Sequence, residues 1–260
     1  MRGSSVQAVT QVAVVVRGLS FSYPDGQQAL REVSLEIADG EKVAVVGANG
    51  AGKSTLLLHL NGVLKGKGDV RIMGHPLCDG HLSEVRRLVG VVFQNPDDQL
   101  FSPTVFEDVA FGPMYMGLPE GEVRGRVERA LQQVGMAGYE KRMPHRLSLG
   151  ERKRVAIATV LAMEPSVLAI DEPTMGLDPR ARRRFMDLLR TLPQTIIAAT
   201  HDLYLARDLF PRMIVMDGGR IAADGPTCEI LADGALLQRH GLEGLEQRAL
   251  IDTPARANGG

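Results

Sequence analysis

Two cysteines, Cys78 and Cys228, are all that this chain of 260 residues carries. Neither falls in a C-x-x-C pair or in a Cys/His ligand spacing, so neither a disulfide scaffold nor a zinc module is expected. They read as two reduced thiols of a cytosolic protein. Long apolar runs are missing too, and none approaches the length of a membrane span. Met1-Arg2-Gly3-Ser4-Ser5 lacks the apolar stretch of a signal peptide. Any service to a membrane is therefore expected from its cytosolic side, through partners. Excess charge is absent as well: the formal net charge is -1, which argues against nucleic-acid binding through bulk charge. There are no internal repeats. What remains, 44% hydrophobic and 23% charged residues, suffices to bury the core of one large α/β domain, with or without a subdomain.

The most informative stretch is Gly47-Ala48-Asn49-Gly50-Ala51-Gly52-Lys53-Ser54-Thr55. It follows Lys42-Val43-Ala44-Val45-Val46, a β-branched run that reads as a buried strand, and precedes Leu56-Leu57-Leu58-His59-Leu60, the start of a helix. Strand, glycine-rich turn and Gly-Lys-Ser form the P-loop pattern in its required context. Glycines let backbone N–H groups turn inward around phosphate oxygens, and the helix N-terminus adds partial positive charge. Lys53 supplies a point charge for the β- and γ-phosphates, and the Ser54 hydroxyl is suited to ligate Mg²⁺. The stretch predicts binding of a nucleoside triphosphate.

Around it the chain alternates strands and helices. Short β-rich runs at residues 12–16, 19–23 and 29–37, with a Pro24-Asp25-Gly26 turn, predict a small antiparallel sheet. Another strand pair is expected to bracket residues 68–74. Tyr23 stands where an aromatic can stack on a base, although a half-exposed strand tyrosine is the plainer reading of its spacing. Residues 88–93 predict a second buried strand, followed by Gln94-Asn95-Pro96. Gln94 is placed to reach a metal-bound water or a γ-phosphate, or it simply belongs to a polar Asn-Pro turn. Residues 105–111 read as a helix ended by a Gly/Pro break. Residues 122–134 carry Val123, Val127, Ala130, Leu131 and Val134 on one helical face. More than sixty residues separate this core strand from the next, so an inserted helical subdomain is expected.

Leu147-Ser148-Leu149-Gly150-Glu151 then opens a clear helix, as a cap and a second anion-facing helix end. The strand at residues 166–170 ends in Asp171-Glu172, two adjacent carboxylates. Such a pair is costly at the end of an apolar strand without a metal or partners. An Asp at this place in P-loop proteins holds the Mg²⁺ shell, and Glu172 is placed to polarise water as general base. Asp178-Pro179 caps an arginine-rich helix that reads as a solvated face. The strand at residues 195–200 delivers His201 to the ligand edge, where a histidine is either structural or a donor to the γ-phosphate. Residues 212–225 read as a closing hairpin.

Taken in order, these elements resemble the ATP-binding-cassette (ABC) ATPase family over about residues 12–235. The resemblance rests on Tyr23, the P-loop, Gln94, the Leu147-to-Glu151 stretch, Asp171 with Glu172, Gly176-Leu177-Asp178 and His201. It implies an α/β fold: a P-loop core, a small antiparallel β subdomain and a helical subdomain inserted at about residues 97–150. Residues 236–260 would form a tail, fraying at 255–260. By resemblance Tyr23 stacks on adenine, Gln94 senses Mg²⁺ and relays to a membrane partner, and Asp171 holds Mg²⁺ through water. Glu172 would be the catalytic base and His201 the γ-phosphate contact. Ser148 and Gly150 would complete the ATP site of a second copy in a head-to-tail dimer. The family's common signature is Leu-Ser-Gly-Gly-Gln, and here Leu149 and Glu151 replace its third and fifth residues.

Residues 92–101, Phe111-Gly112-Pro113 and residues 154–158 look like the ATPases of energy-coupling-factor importers, and within them the single-ATPase cobalt and nickel importers. The expectation is an ATP- and Mg-dependent hydrolase, peripheral on the cytoplasmic face of the cell membrane. Its partners would be a second ATPase chain and transmembrane coupling and substrate-binding subunits, with no nucleic acid. A vitamin importer on the same plan is the alternative solute reading. A soluble cassette acting on DNA or the ribosome would resemble two cassettes in one chain or one cassette split by a long coiled coil, and sustained heptads are absent. A kinase or GTPase switch leaves the 147–151 stretch and His201 unexplained, and a non-catalytic binding module requires an inert Glu172.

Overall fold

A computed structural model of the protein describes residues 11–242. The chain opens with β1 (Val12–Ser22), β2 (Gln28–Ala38) and β3 (Lys42–Val46), then α1 (Lys53–Leu60), β4 (Lys67–Ile72) and the short β5 (His75–Pro76). A 3-10 turn at Asp79–His81 leads into α2 (Leu82–Leu88) and β6 (Val89–Val92). Three helices follow, α3 (Val105–Tyr115), α4 (Glu120–Gln133) and α5 (Leu149–Leu161), before β7 (Val167–Asp171). The remainder is α6 (Pro179–Thr191), β8 (Thr195–Thr200), α7 (Leu203–Leu209), β9 (Arg212–Asp217), β10 (Arg220–Pro226), α8 (Thr227–Ala232) and α9 (Gly234–Arg239).

β2-β1-β4-β5 form an antiparallel sheet, and β10-β9-β3-β8-β7-β6 form the core sheet, parallel except for β10. β3, β7 and β8 are near-continuous apolar runs because helices or the second sheet cover both their faces. Alternation along β3 divides them: Ala44 and Val46 join the core under α3 to α7, Val43 and Val45 the core between the two sheets and α1. On α5 the inward face carries Ala156, Ile157, Val160 and Leu161, each of which contributes about 1–3 kcal/mol by leaving water.

Several expectations need correction. The two runs at 12–16 and 19–23 are one strand, β1, bent by register shifts between Val16 and Leu19 where Gly18 takes φ +60°. Gly112-Pro113 does not end α3, which runs on to Tyr115. Proline there forfeits one backbone hydrogen bond, but glycine lets the helix press against Met163, whose Cγ would lie 2.6 Å from any Cβ at position 112. The P-loop helix starts at Lys53, three residues ahead of the apolar run. Leu88 closes α2, a helix too short and too charged to be legible from periodicity. The closing hairpin is present as β9 and β10, added to the edge of the core sheet beside β3. α9 crosses residue 235, and the expected fraying end at 255–260 lies outside the described residues.

Candidate nucleotide site

Sheet register builds the site. Val46 pairs with Thr200, Asp171 with Ala199, and Val92 with Ile170. All four strands therefore end at one edge, and Gly47, Glu172, Gln94 and His201 emerge there within two residues of their strand ends. A cavity of about 260 Å³ at that edge is lined by Tyr23, residues 49–55, Gln94, Glu172 and His201 among others.

Gly52 caps α1 in the left-handed region, φ +101°, and a Cβ there would sit 2.6 Å from the Ala29 carbonyl oxygen. A Cβ at Gly47 would come within 2.2 Å of the Met216 carbonyl oxygen. These two contacts require glycine whatever ligand binds. The Lys53 ammonium donates to the carbonyls of Gly47 (2.8 Å) and Ala48 (2.9 Å), so it curls over the turn it belongs to. Burial lowers its pKa, while the charges of Glu172 and Asp171 raise it. Tyr23 edges the cavity, its hydroxyl 3.0 Å from Thr55 Oγ1 and its ring edge-on to Phe21.

The carboxylates differ in their surroundings. Asp171 Oδ1 is buried without a hydrogen-bond partner, and burial raises its pKa against the opposing effect of the Ser54 hydroxyl. Glu172 is 7% exposed and fully engaged. Its Oε1 accepts from the His201 backbone N–H (3.1 Å) and meets His201 Nδ1 at 2.8 Å; its Oε2 accepts from the Thr200 hydroxyl at 3.2 Å. The Glu172 backbone sits at φ +41°, a conformation that costs a non-glycine residue about 1–3 kcal/mol. The Glu172 N–H bond to the Ala199 carbonyl, 2.9 Å, helps hold it there.

Lys153 is the residue that sequence reading missed. It is 4% exposed, and its ammonium donates to the carbonyls of Gln94 (3.1 Å) and Glu172 (3.0 Å). Burial brings its pKa down to about 8 against the pull of Glu172 and Asp171. The signal was present: 153, 156, 157, 160 and 161 are one helical face, but Arg152-Lys153-Arg154 reads as an exposed charge run. Gln99 adds to the same tie. Its amide donates to the Ala156 carbonyl and Thr159 hydroxyl, both at 2.8 Å, and its Oε1 accepts from the Phe93 N–H. The segment carrying Gln94 is thus fastened to α5, while the Gln94 amide itself donates only weakly, to Met175 Sδ at 3.0 Å.

A sequence profile of the ABC transporter family matches residues 30–175. The chain belongs to this family. It is 50% identical to the energy-coupling factor transporter ATP-binding protein of Methanothermobacter thermautotrophicus, over 88% of this chain and 76% of that one. The solved structure of cbiO1 from Clostridium perfringens, described as part of the ABC transporter complex cbiONQ, superposes with a TM-score of 0.78 at 39% identity, covering 93% of this chain and 98% of that one. A dimeric ATP-binding cassette with ADP and phosphate bound, captured after hydrolysis, gives 0.73 at 30% identity, covering 82% and 98%. This ABC protein is an ATP hydrolase coupled to transport, with the ABC ATPase fold, and it resembles the energy-coupling-factor type. Among the described residues no helix is long and apolar enough to cross a membrane.

In this ABC ATPase, Ser148 and Gly150 do not line the P-loop cavity. They border a separate pocket with Glu151, Arg154, Asp178 and Arg180. Ser148 caps α5 through a capping box with Glu151: the Ser148 N–H and hydroxyl both donate to Glu151 Oε2 at 2.9 Å, and the Tyr139 hydroxyl donates to Oε1. The Ser148 backbone bond, foremost, holds the Glu151 pKa below the usual carboxylate range. The glutamate that departs from the common signature is therefore built into the helix start.

Proposed function

We propose that this chain powers import of a transition-metal ion, cobalt or nickel, as the single ATPase of an energy-coupling-factor importer. One observation carries the reading: the Glu172–His201 pair, Lys53 and Ser54 meet around one cavity of a single chain, and if they are the catalytic set a homodimer would have two working sites. The likeness to cbiO1 and the importer-like stretches around Gln94 and Arg154 support it.

In this reading the backbone N–H groups of the P-loop, Lys53, Ser54 and Thr55 hold the ATP phosphates, and Tyr23 stacks on adenine. The orphaned Oδ1 of Asp171, the Ser54 hydroxyl whose effect it feels and the Gln94 amide lining the same cavity as Ser54 fit a hard divalent cation with oxygen ligands, so Ser54, Gln94 and Asp171 would hold Mg²⁺, partly through water. When bound, Mg²⁺ neutralises phosphate charge. Glu172 accepts a proton from the attacking water. His201, oriented by Glu172 Oε1, contacts the γ-phosphate. Ser148 and the Gly150 N–H close the site of a second copy bound head to tail.

Membrane subunits are the remaining partners. Phe101 (68% exposed), Phe111, Met114 and Tyr115 (83% exposed) crowd the face next to the Gln94 segment, with the Phe101 and Phe111 rings 5.2 Å apart and edge to face. In this reading such a patch suits an apolar segment of a membrane subunit, with the chain peripheral at the cytoplasmic side of the membrane. The reading treats residues 97–150 as the inserted helical subdomain of a domain spanning 12–235.

The test is uptake of radioactive nickel and cobalt by cells carrying the chain with its co-purifying membrane subunits, beside a Lys53→Ala control. Uptake that vanishes in the control supports a metal importer. Background metal uptake, with an intact complex that still hydrolyses ATP, overturns the metal reading in favour of a vitamin.

A further inference from the structure

Among the described residues, one cluster outside the nucleotide site gathers three potential metal donors: His75, His81 and Glu84. His75 lies on β5, the edge strand of the antiparallel sheet. His81 is the residue before α2, and Glu84 is in the first turn of that helix. The donor atoms all lie within 4.8 Å of one another. His81 Nδ1 is 2.8 Å and His75 Nδ1 3.3 Å from the same oxygen, Glu84 Oε2.

For metal bonds of about 2.1 Å, neighbouring donors stand about 3.0 Å apart in an octahedron and about 3.4 Å apart in a tetrahedron. The two edges that meet at Glu84 Oε2, 2.8 and 3.3 Å, lie close to those lengths. An exposed His–Glu ion pair needs only one imidazole and is worth about 0–1 kcal/mol, so it does not explain why a second ring from another element points its Nδ1 at the same oxygen. The segment between is fixed independently of any ion. Lys65 pairs with Asp79, and backbone bonds run from the Leu77 N–H to the Val70 carbonyl and from the His81 N–H to the Cys78 carbonyl. The donors are thus brought together by the fold and not by one flexible loop.

We propose that His75, His81 and Glu84 form a binding site for one divalent first-row transition-metal ion. Two imidazoles and one carboxylate select ions of intermediate softness, Co²⁺, Ni²⁺ or Zn²⁺, over Mg²⁺ and Ca²⁺, which favour all-oxygen shells. All three side chains are about half exposed, so water completes the coordination and the ion exchanges with solvent. An ion held there clamps β5 to α2, the helix that feeds β6 and, beyond it, Gln94. The site is independent of which solute is transported, and it shares no residue with the ATP site.

The experiment is a competition titration of the full chain, free of ATP and Mg²⁺, with Ni²⁺, Co²⁺ and Zn²⁺ against a chromophoric chelator. It compares wild type, the double variant His75→Ala/His81→Ala, and Glu84→Gln, with the melting temperature of each metal-free protein as the folding control. A second control, His240→Ala, removes a histidine paired elsewhere with Asp217. The expected result is one ion per wild-type and His240→Ala chain, affinity at least about tenfold weaker in Glu84→Gln, and no such ion in the double variant. In wild type and His240→Ala, and not in the double variant, Ni²⁺ should also raise the melting temperature. Equal stoichiometry and affinity in the double variant and wild type, or a wild-type chain that takes no ion from the chelator, overturns the proposal.

Discussion

His201 Nδ1 meets Glu172 Oε1 at 2.8 Å, although the two residues leave different strands. The contact exists because β7 and β8 pair in parallel with Asp171 opposite Ala199, so Glu172, one residue on, and His201, two residues on, reach the same cavity. The histidine backbone N–H holds the same oxygen, and Thr200 holds the other. A carboxylate fixed at both oxygens is oriented before any nucleotide arrives.

Glu172→Gln should keep ATP binding and lower phosphate release by about 10²–10⁴-fold, the range expected when a general base is removed. Nucleotide binding and phosphate release are measured on the same preparation. Wild-type turnover would remove Glu172 from the base role. His201→Ala removes the Nδ1 contact to Glu172 Oε1 and leaves only the backbone N–H on that oxygen, and it should also slow release without abolishing binding.

The Lys53 ammonium, held by the Gly47 and Ala48 carbonyls, lines the P-loop cavity and is the group proposed to meet the ATP phosphates. Removing a charge-assisted contact costs about 1.5–3 kcal/mol, so Lys53→Ala should weaken ATP about 10- to 150-fold. Calorimetric titration reads this directly, and an unchanged affinity contradicts the P-loop assignment.

Lys153 gives a pH dependence of stability. Its ordinary pKa is 10.5, and burial brings it to about 8 in the folded protein. Between those values the unfolded chain holds a proton that the folded chain has released, so stability contributed at this site rises with pH from about 8 to 10.5. Below pH 8 the cost of burying the charge is present in full. Lys153→Met should lose this rise, worth on the order of 3 kcal/mol across the window. Urea unfolding of both proteins at pH 7.5 and 10 tests it, and parallel curves would reject the assignment.

At the start of α5, Glu151 occupies the Ser148 hydroxyl and adds a negative charge beside it. Glu151→Gln preserves an acceptor for the cap and removes the charge. In a Glu172→Gln background, the ATP-bound dimer should tighten severalfold by sedimentation. Ser148→Ala should cost about 1 kcal/mol of helix stability and weaken the dimer. A dimer indifferent to both changes would separate this helix end from the second copy's nucleotide.

The nucleotide chemistry was legible in the sequence because local rules determine it. A β-branched run, a turn that tolerates no Cβ at Gly47 or Gly52, and Lys53-Ser54 at a helix start are consecutive, and so are Asp171 and Glu172 at their strand end. Helix periodicity likewise gave the buried face of α4. The tertiary structure alone decided what meets across strands. It carried α3 through Gly112-Pro113 because Met163 packs there, it turned Lys153 inward beneath Gln94 and Glu172, and it drew His75 from a sheet edge to a carboxylate on α2. Those outcomes depend on register and packing between segments far apart in the chain, and no pattern of neighbouring residues encodes that distance.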